Sequence, residues 1–163
     1  MHEVVSSGPG LLITRMTEHD LLEVVEIEEG SGLSRWGWAA YYAELQGSNR
    51  PLMLVARVMR PLEQIKTDNI AGYIAARLAA NELHINNVAV RVEYRRRGIA
   101  SALLKSIIEK GRGLEAKVAF LEVRAGNFLA QALYENYGFR NVGLRRNYYS
   151  APCEDAVIMS AKL

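Results

Sequence analysis

The chain has 163 residues, of which 50% are hydrophobic and 23% charged, and its formal net charge is +2. This length and apolar content suit one domain with a packed core, and the near balance of charge excludes a general nucleic-acid binder. One cysteine, Cys153, excludes an internal disulfide and a cysteine-rich zinc site. No apolar run approaches the roughly 20 residues of a membrane span, and the N-terminus lacks a signal-peptide pattern. We therefore expect a cytoplasmic protein with no membrane or direct nucleic-acid contact.

Up to residue 90 the sequence predicts one strand, two helices and then three strands. Residues 1–10 have turn composition and little to bury, so we expect a flexible leader followed by one domain over 11–163. The last two strands are close enough to form an antiparallel hairpin, and a polar loop precedes them at Arg60–Asn69. The expected elements are a strand at Leu11–Met16, a helix capped by Thr17 and extending to Ile27, a helix from Gly37 or Trp38 to Leu45, and strands at Leu52–Val58, Ile70–Leu78 and Leu83–Val90.

The second half alternates helices and strands. A helix after Arg97 carries apolar residues at helical spacing and ends near Gly111 and Gly113. It is followed by a strand at Val118–Val123, a helix at Asn127–Tyr137 stopped by Gly138, and strands at Phe139–Tyr149 and Ala156–Leu163. The order β-α-α-β-β-β-α-β-α-β-β predicts a mixed α/β domain.

The junction before the first of these helices is typical of an anion site. Three arginines, Arg95, Arg96 and Arg97, precede Gly98, and small residues follow it. The first N–H groups of a helix lack intrahelical partners, and the positive end of the helix dipole favours a phosphate there. A solvated basic turn is the alternative interpretation. The pattern matches neither a P-loop nor a G-x-G-x-x-G fingerprint.

Three segments resemble the GNAT acetyltransferase superfamily. Arg95, Gly98 and Ala100 match its acetyl-CoA signature, in which glutamine or arginine is followed by glycine three residues later and by glycine or alanine two residues after that. Leu121–Phe139 is similar to the family segment L-E-V-R-x-x-N-x-x-A-x-x-L-Y-E-x-x-G-F. Arg145–Tyr149, with Glu154–Ala156 and Met159, is similar to the end of the RimI-type branch, which acetylates the N-terminal alanine of a small-subunit ribosomal protein.

The resemblance implies a fold and a reaction. The fold is a central mixed, mostly antiparallel sheet flanked by helices and splayed between the strands ending at Val90 and Val123, which leaves a cleft for CoA. The reaction is acetyl transfer from acetyl-CoA to a primary amine, in the RimI manner a protein N-terminus. An α-amine suits this reaction because its pKa of about 7.7–8.0 leaves it partly neutral at physiological pH. We expect a monomer or weak dimer without a metal. A GNAT acting on a small amine and a catalytically silent acyl-CoA-binding module are the alternatives.

The resemblance also assigns the two catalytic side chains. Glu122 is the expected base; it follows Val118 and Phe120 on one face of its strand, so its carboxylate is only partly solvated. A salt bridge to a nearby arginine is the alternative role. Tyr134 is the expected acid, because the family places this helix tyrosine near the CoA sulfur and a phenol stays protonated at neutral pH.

The remaining expectations concern binding. In the family, the backbone of the strand at Val88, Ala89 and Val90 pairs with pantetheine, which makes the Val90 amide an oxyanion donor. Asn127 either hydrogen-bonds pantetheine or caps the following helix. His84 and Cys153 are expected to be incidental. Trp36, Tyr148 and Tyr149 are expected around the acceptor, with core packing or strand pairing as alternatives, and the CoA residues are Val88, Ala89, Val90, Arg95, Arg96, Arg97, Gly98, Ile99, Ala100, Ser101, Asn127 and Tyr134.

Overall fold

A computed structural model describes residues 5–6, 10–33, 35–47, 52–59 and 70–163. The described strands form one sheet in the order β1-β2-β3-β4-β5-β6-β8-β7. They are β1 (Val5–Ser6), β2 (Leu11–Arg15), β3 (Leu52–Val58), β4 (Ile70–Ala79), β5 (Glu82–Val90), β6 (Val118–Arg124), β7 (Arg140–Ser150) and β8 (Cys153–Lys162). The helices are α1 (Leu21–Glu29), α2 (Gly37–Gln46), α3 (Ile99–Gly113) and α4 (Phe128–Glu135).

Neighbouring strands are antiparallel except for β5 and β6, which are parallel. The parallel pair follows from the crossover through α3, whereas the two-residue turn between β4 and β5 produces the predicted hairpin. The mixed, mostly antiparallel sheet expected from the sequence is therefore confirmed. The expected loop at Arg60–Asn69 lies outside the described residues.

The helices cover both faces of the sheet. Alternating residues of β3 divide between two cores, because successive side chains of a strand point to opposite faces. Leu52 and Leu54 belong to the core that contains the apolar side of α3, whereas Met53 and Val55 belong to the core built with α1 and α2. Both faces of the central strands are thus buried, and an opening lies within the sheet itself.

That opening is a split between β5 and β6. The two strands pair only from Glu82 with Val118 to Ile85 with Leu121, although both continue further. Asn86 is an extra residue in β5, because Ala75 pairs with Asn87 and Ala76 pairs with Ile85 across the hairpin. Such a bulge bends its strand. β5 from Asn87 to Val90 stays paired with β4, and β6 from Glu122 to Arg124 stays paired with β8. The predicted splay is confirmed.

Several boundaries differ from the sequence prediction, and three of the differences follow from strand pairing or a chain reversal. The backbone of Val5–Ser6, within the expected leader, pairs antiparallel with β2. Helix α4 ends at Glu135 and not at Tyr137, because the chain reverses through Gly138, whose φ is 87°. Strand β8 begins at Cys153 and not at Ala156, because Ser150 pairs with Cys153 across a turn at residues 151–152.

Candidate active site

The split in the sheet opens into two adjoining cavities. The wide cavity has a volume of about 520 Å³ and contains Trp36, His84, Glu122 and Tyr148 in its wall. The narrow cavity has a volume of about 110 Å³ and is lined by Val88, Asn127 and Tyr134, among others. Glu122, Tyr149 and the β5 residues 85–87 line both. The two expected catalytic side chains therefore lie in one continuous opening, with Glu122 where the cavities meet.

Glu122 is held at this position by two partners from β7. Its side chain is 26% exposed, and the Nε atom of Arg145 lies 2.8 Å from its Oε1. Tyr148 donates a hydrogen bond to the Glu122 carboxylate, and this bond raises the pKa of the tyrosine. The salt bridge that was the alternative role for Glu122 is present. It does not bury the carboxylate, which still faces the wide cavity.

Tyr149 is fixed beside Glu122 by a second set of contacts. The guanidinium of Arg124 lies 4.2 Å from the centre of the Tyr149 ring and also contacts Glu154 at 3.4 Å. Glu154 accepts a 2.6 Å hydrogen bond from the N–H of Gly126. Arg124 and Glu154 thereby join the β7–β8 hairpin to the segment that leads from β6 into α4. Burial, with the charge of Glu122, raises the pKa of Tyr149 to about 12.

Tyr134 presents an unengaged hydroxyl to the narrow cavity. Its side chain is 9% exposed, and its ring packs at 60° to that of Phe139, 6.0 Å away. Within the described part of the chain its hydroxyl has no hydrogen-bond partner. Burial raises the pKa of Tyr134 to about 12, with a smaller effect from Tyr149. The phenol therefore stays protonated across the working range of pH and is available to donate.

The neighbouring wall combines a helix cap with an exposed strand edge. The Asn127 side chain accepts a 3.1 Å hydrogen bond from the N–H of Ala130, so the expected capping interaction is formed. Across the cavity, the Arg91 N–H donates to Ala71 of β4 at 2.8 Å. Because N–H groups alternate in direction along a strand, the N–H of Val90 faces away from β4 and toward the split. Val88 and its neighbours therefore offer backbone groups to an extended ligand.

The turn before α3 has the open geometry of an anion site. Gly98 has a φ of 76°, and a Cβ atom added there would meet no heavy atom within 4 Å. Helix α3 begins at Ile99, so the N–H groups of its first turn point into this space. Arg95 donates from Nε to the Val90 carbonyl at 3.0 Å, and Arg97 lies 5.5 Å from the Tyr94 ring centre. The arginines flank the turn without closing it.

The other first-turn residues of α3 are placed by packing. Ile99 is buried in the core next to the sheet, and Ala100 is half-buried and packs against the same core. The Ser101 hydroxyl hydrogen-bonds the Tyr137 hydroxyl, which also contacts the Ser101 carbonyl. This contact joins α3 to the segment that follows α4. Arg96, with a φ of 63°, is exposed at the turn.

The wide cavity contains His84, which was expected from the sequence to be incidental. His84 Nε2 lies 2.9 Å from Glu82 Oε2, and the imidazole stacks on Phe120 at 5.6 Å. Only the strand alternation that puts His84 on the side of Glu122 could have signalled its place. Trp36 combines both expected roles, since it lines the cavity and packs against Tyr41, 5.3 Å away. Cys153 is exposed and outside both cavities.

No helix in the described part of the chain is both long and apolar enough to cross a membrane.

The family model for the acetyltransferase (GNAT) family matches residues 21–139. A Bacillus subtilis protein provisionally named ribosomal protein bS18-alanine N-acetyltransferase is 33% identical to this chain. The alignment covers 90% of this chain and 92% of the Bacillus protein. The ribosomal protein bS18-alanine N-acetyltransferase of Haemophilus ducreyi is 30% identical over 93% of this chain and 100% of its own length.

Two solved structures share the fold of this chain. The crystal structure of the ribosomal-protein-S18-alanine N-acetyltransferase from Escherichia coli superposes with a TM-score of 0.79, at 29% identity, over 93% of each chain. Ard1 from Thermoplasma volcanium shares the fold with a TM-score of 0.81 at 24% identity, over 94% of this chain and 98% of its own. The chain belongs to the acetyltransferase (GNAT) family, in its RimI-type branch of N-acetyltransferases.

Proposed function

We propose that this enzyme transfers the acetyl group of acetyl-CoA to the N-terminal α-amine of a protein, with the N-terminal alanine of a ribosomal protein as its acceptor. The observation that carries the proposal is the position of Glu122 on the wall common to both cavities. An amine that enters through the wide cavity meets the carboxylate at the point where the narrow cavity, with Tyr134, begins. One side chain there serves both substrates.

Acetyl-CoA is assigned to the narrow cavity and the turn before α3. The backbone of Val88, Ala89 and Val90 offers strand-like hydrogen bonds to the pantetheine arm, in the way that a sheet edge binds an extended peptide. The N–H groups of Gly98 to Ser101, with Arg95, Arg96 and Arg97 nearby, suit the pyrophosphate. Asn127 remains a candidate for the pantetheine amide in addition to its capping bond.

The proposed chemistry is direct transfer. The amine nitrogen attacks the thioester carbonyl carbon, a C–N bond forms, and the C–S bond breaks. Glu122 accepts the proton that the amine loses, and the Tyr134 hydroxyl supplies a proton to the departing thiolate. The Val90 N–H, directed toward the split, meets the negative charge that develops on the carbonyl oxygen. Protons therefore balance with one acceptor and one donor.

The wide cavity favours a peptide over a small amine. Its volume of about 520 Å³ and its aromatic wall, with Trp36 and Tyr148, accommodate more than an amino group. Relatives that align with nearly the whole chain are named for the alanine of ribosomal protein bS18, which supports the same class of acceptor. We place the reaction in the cytoplasm, where ribosomal proteins are made.

The decisive experiment compares acceptors under one set of conditions. The enzyme is incubated with acetyl-CoA and, separately, with a peptide that begins with alanine, the same peptide blocked at its N-terminus, a peptide whose only amine is a lysine side chain, and a panel of polyamines and amino acids. Mass spectrometry should find acetylation of the free alanine peptide alone. Faster acetylation of a small amine would overturn the assignment, and no product with any amine would favour a silent binding module.

A further inference from the structure

A buried polar cluster lies behind the wide cavity and takes no part in the proposed chemistry. Its members are Glu28 of α1, Tyr41 of α2, Tyr73 of β4 and Asn87 of β5, each at most 6% exposed. The Tyr41 hydroxyl donates to Glu28 Oε2, lies 2.8 Å from the Tyr73 hydroxyl, and accepts from Asn87 Nδ2 at 2.7 Å. The hydroxyl of Tyr41 thus uses its one donor and both acceptor positions.

Glu28 extends the cluster to the backbone of the cavity wall. Its Oε1 accepts the N–H of Trp36 at 2.8 Å and the N–H of Gly37 at 3.1 Å, at the point where α2 begins. Helix N-termini have unpaired N–H groups, so a buried carboxylate there satisfies them and defines where the helix starts. Trp36 lines the wide cavity, and its placement therefore depends on an acidic side chain one helix earlier in the chain.

Asn87 is the other end of the cluster. It follows the bulged residue Asn86 at the place where β5 parts from β6, and it lines both cavities. A hydrogen-bonded path thus runs from the Trp36 backbone through Glu28 and Tyr41 to Asn87. Burial raises the pKa of Tyr41 and of Tyr73, so both hydroxyls remain protonated donors.

Tyr73 stands to one side of this path. Its hydroxyl lies 2.8 Å from the Tyr41 hydroxyl and also interacts with the Asn87 side chain, but among the described residues it has no hydrogen bond to Glu28. Removing the Tyr73 hydroxyl leaves the connection from Glu28 to Asn87 intact, whereas removing the Tyr41 hydroxyl cuts it. The chain therefore contains two neighbouring buried phenols, of which only Tyr41 bonds to Glu28 and so connects that carboxylate to Asn87 of β5.

We propose that Glu28, Tyr41 and Asn87 are positioning residues that fix the distance between the first turn of α2 and strand β5, and so set the acceptor side of the wide cavity. The inference rests on the proposed function only for the identity of the acceptor. Buried polar groups cost free energy unless each is paired. Because all the hydrogen bonds of this cluster form together in one arrangement of the wall, the cluster favours that arrangement. None of the cluster's hydrogen bonds reaches Tyr134 or the turn before α3, on the cofactor side of the cleft.

The test compares Tyr41→Phe with Tyr73→Phe. Tyr41→Phe should raise the KM for an alanine peptide on the order of tenfold, since a looser wall holds the acceptor less well, while the dissociation constant of acetyl-CoA stays within about twofold. Tyr73→Phe should leave both values near those of the wild type. Hydrogen exchange of the Trp36 and Gly37 amides should accelerate in Tyr41→Phe and not in Tyr73→Phe.

Glu28→Gln keeps the shape of the side chain and provides a second test if Tyr41→Phe does not fold. It should raise the same KM and accelerate exchange of the same two amides. Equal effects of the two tyrosine substitutions, or a loss confined to kcat and thermal stability, would overturn the inference. If the wild type acetylates no peptide, the proposed function fails, and the exchange comparison still decides whether these residues position the wall.

Discussion

Arg145 forms an ion pair with Glu122 inside the wide cavity, with Nε 2.8 Å from Oε1. The contact allows mutation to distinguish two roles for Glu122. The carboxylate could only anchor β7, or it could accept a proton from the amine. An anchor fails equally when either partner is removed. A base fails only when the carboxylate itself is removed.

Glu122→Gln should lower kcat/KM about a hundredfold or more near pH 6.5, because the amine then has no proton acceptor. The loss should shrink toward pH 9, a range that roughly brackets the α-amine pKa, since the amine deprotonates by itself there. Initial rates with an alanine peptide across this range measure the effect. Arg145→Gln is the matched control and should cost far less. Equal losses in both variants, constant with pH, would make Glu122 a structural partner of Arg145.

Tyr134→Phe should lower kcat on the order of a hundredfold while acetyl-CoA affinity is retained, because the ring still packs on Phe139 but no proton donor remains. Tyr137→Phe provides the comparison, since that hydroxyl contacts Ser101 on α3. Steady-state kinetics and calorimetric binding of acetyl-CoA separate the two quantities. A wild-type kcat in Tyr134→Phe would assign the thiolate proton to another source.

The raised pKa of Tyr134 predicts a change in stability at alkaline pH. The folded state keeps this phenol neutral up to a pKa of about 12, whereas the unfolded chain ionises near 10. Its contribution is complete below pH 10 and is lost as pH rises through 12, because the unfolded state binds fewer protons in that window. The free energy of unfolding should fall about 1 kcal/mol more in the wild type than in Tyr134→Phe between pH 9 and 11. Urea titrations at each pH measure it, and parallel curves would contradict it.

Gly98→Leu should weaken CoA binding at least on the order of tenfold, because a side chain would enter the open space before α3 where the pyrophosphate is assigned. Gly37→Leu controls for backbone strain, since Gly37 has a φ of 73° and a similarly open Cβ position at the start of α2. Isothermal titration with CoA, and thermal unfolding of both variants, distinguish steric exclusion from strain. Similar CoA affinities in the two variants would argue against the placement.

Elements with a local residue pattern could be predicted from the sequence alone. Alternation along β6 placed Glu122 and Arg124 on one face, and helical spacing after Arg97 gave α3 within the observed bounds. The resemblance to the family then predicted the split between β5 and β6, which no periodicity in the sequence indicates. Element ends were less accurate, because the β7–β8 hairpin and the reversal at Gly138 depend on pairing across a turn.

Contacts between segments that are distant in the chain could not be predicted from the sequence. The partner of Glu122 is 23 positions away in the chain, and several arginines were equally eligible for that contact. Glu28 stands in a short acidic run that reads as the solvated end of a helix, yet it is 1% exposed. Its burial follows from α2 folding back onto α1, and only three-dimensional packing decides that.

The bulge at Asn86 has a consequence for solubility. Unpaired strand groups at the rim of a sheet attract strands of other molecules and promote aggregation. In this protein the unpaired stretch of β5 is bounded by β6 within the same sheet, so a second protein chain has no lateral approach to it. The fold thereby keeps a row of free backbone donors and acceptors for a slender ligand while protecting it from intermolecular strand pairing.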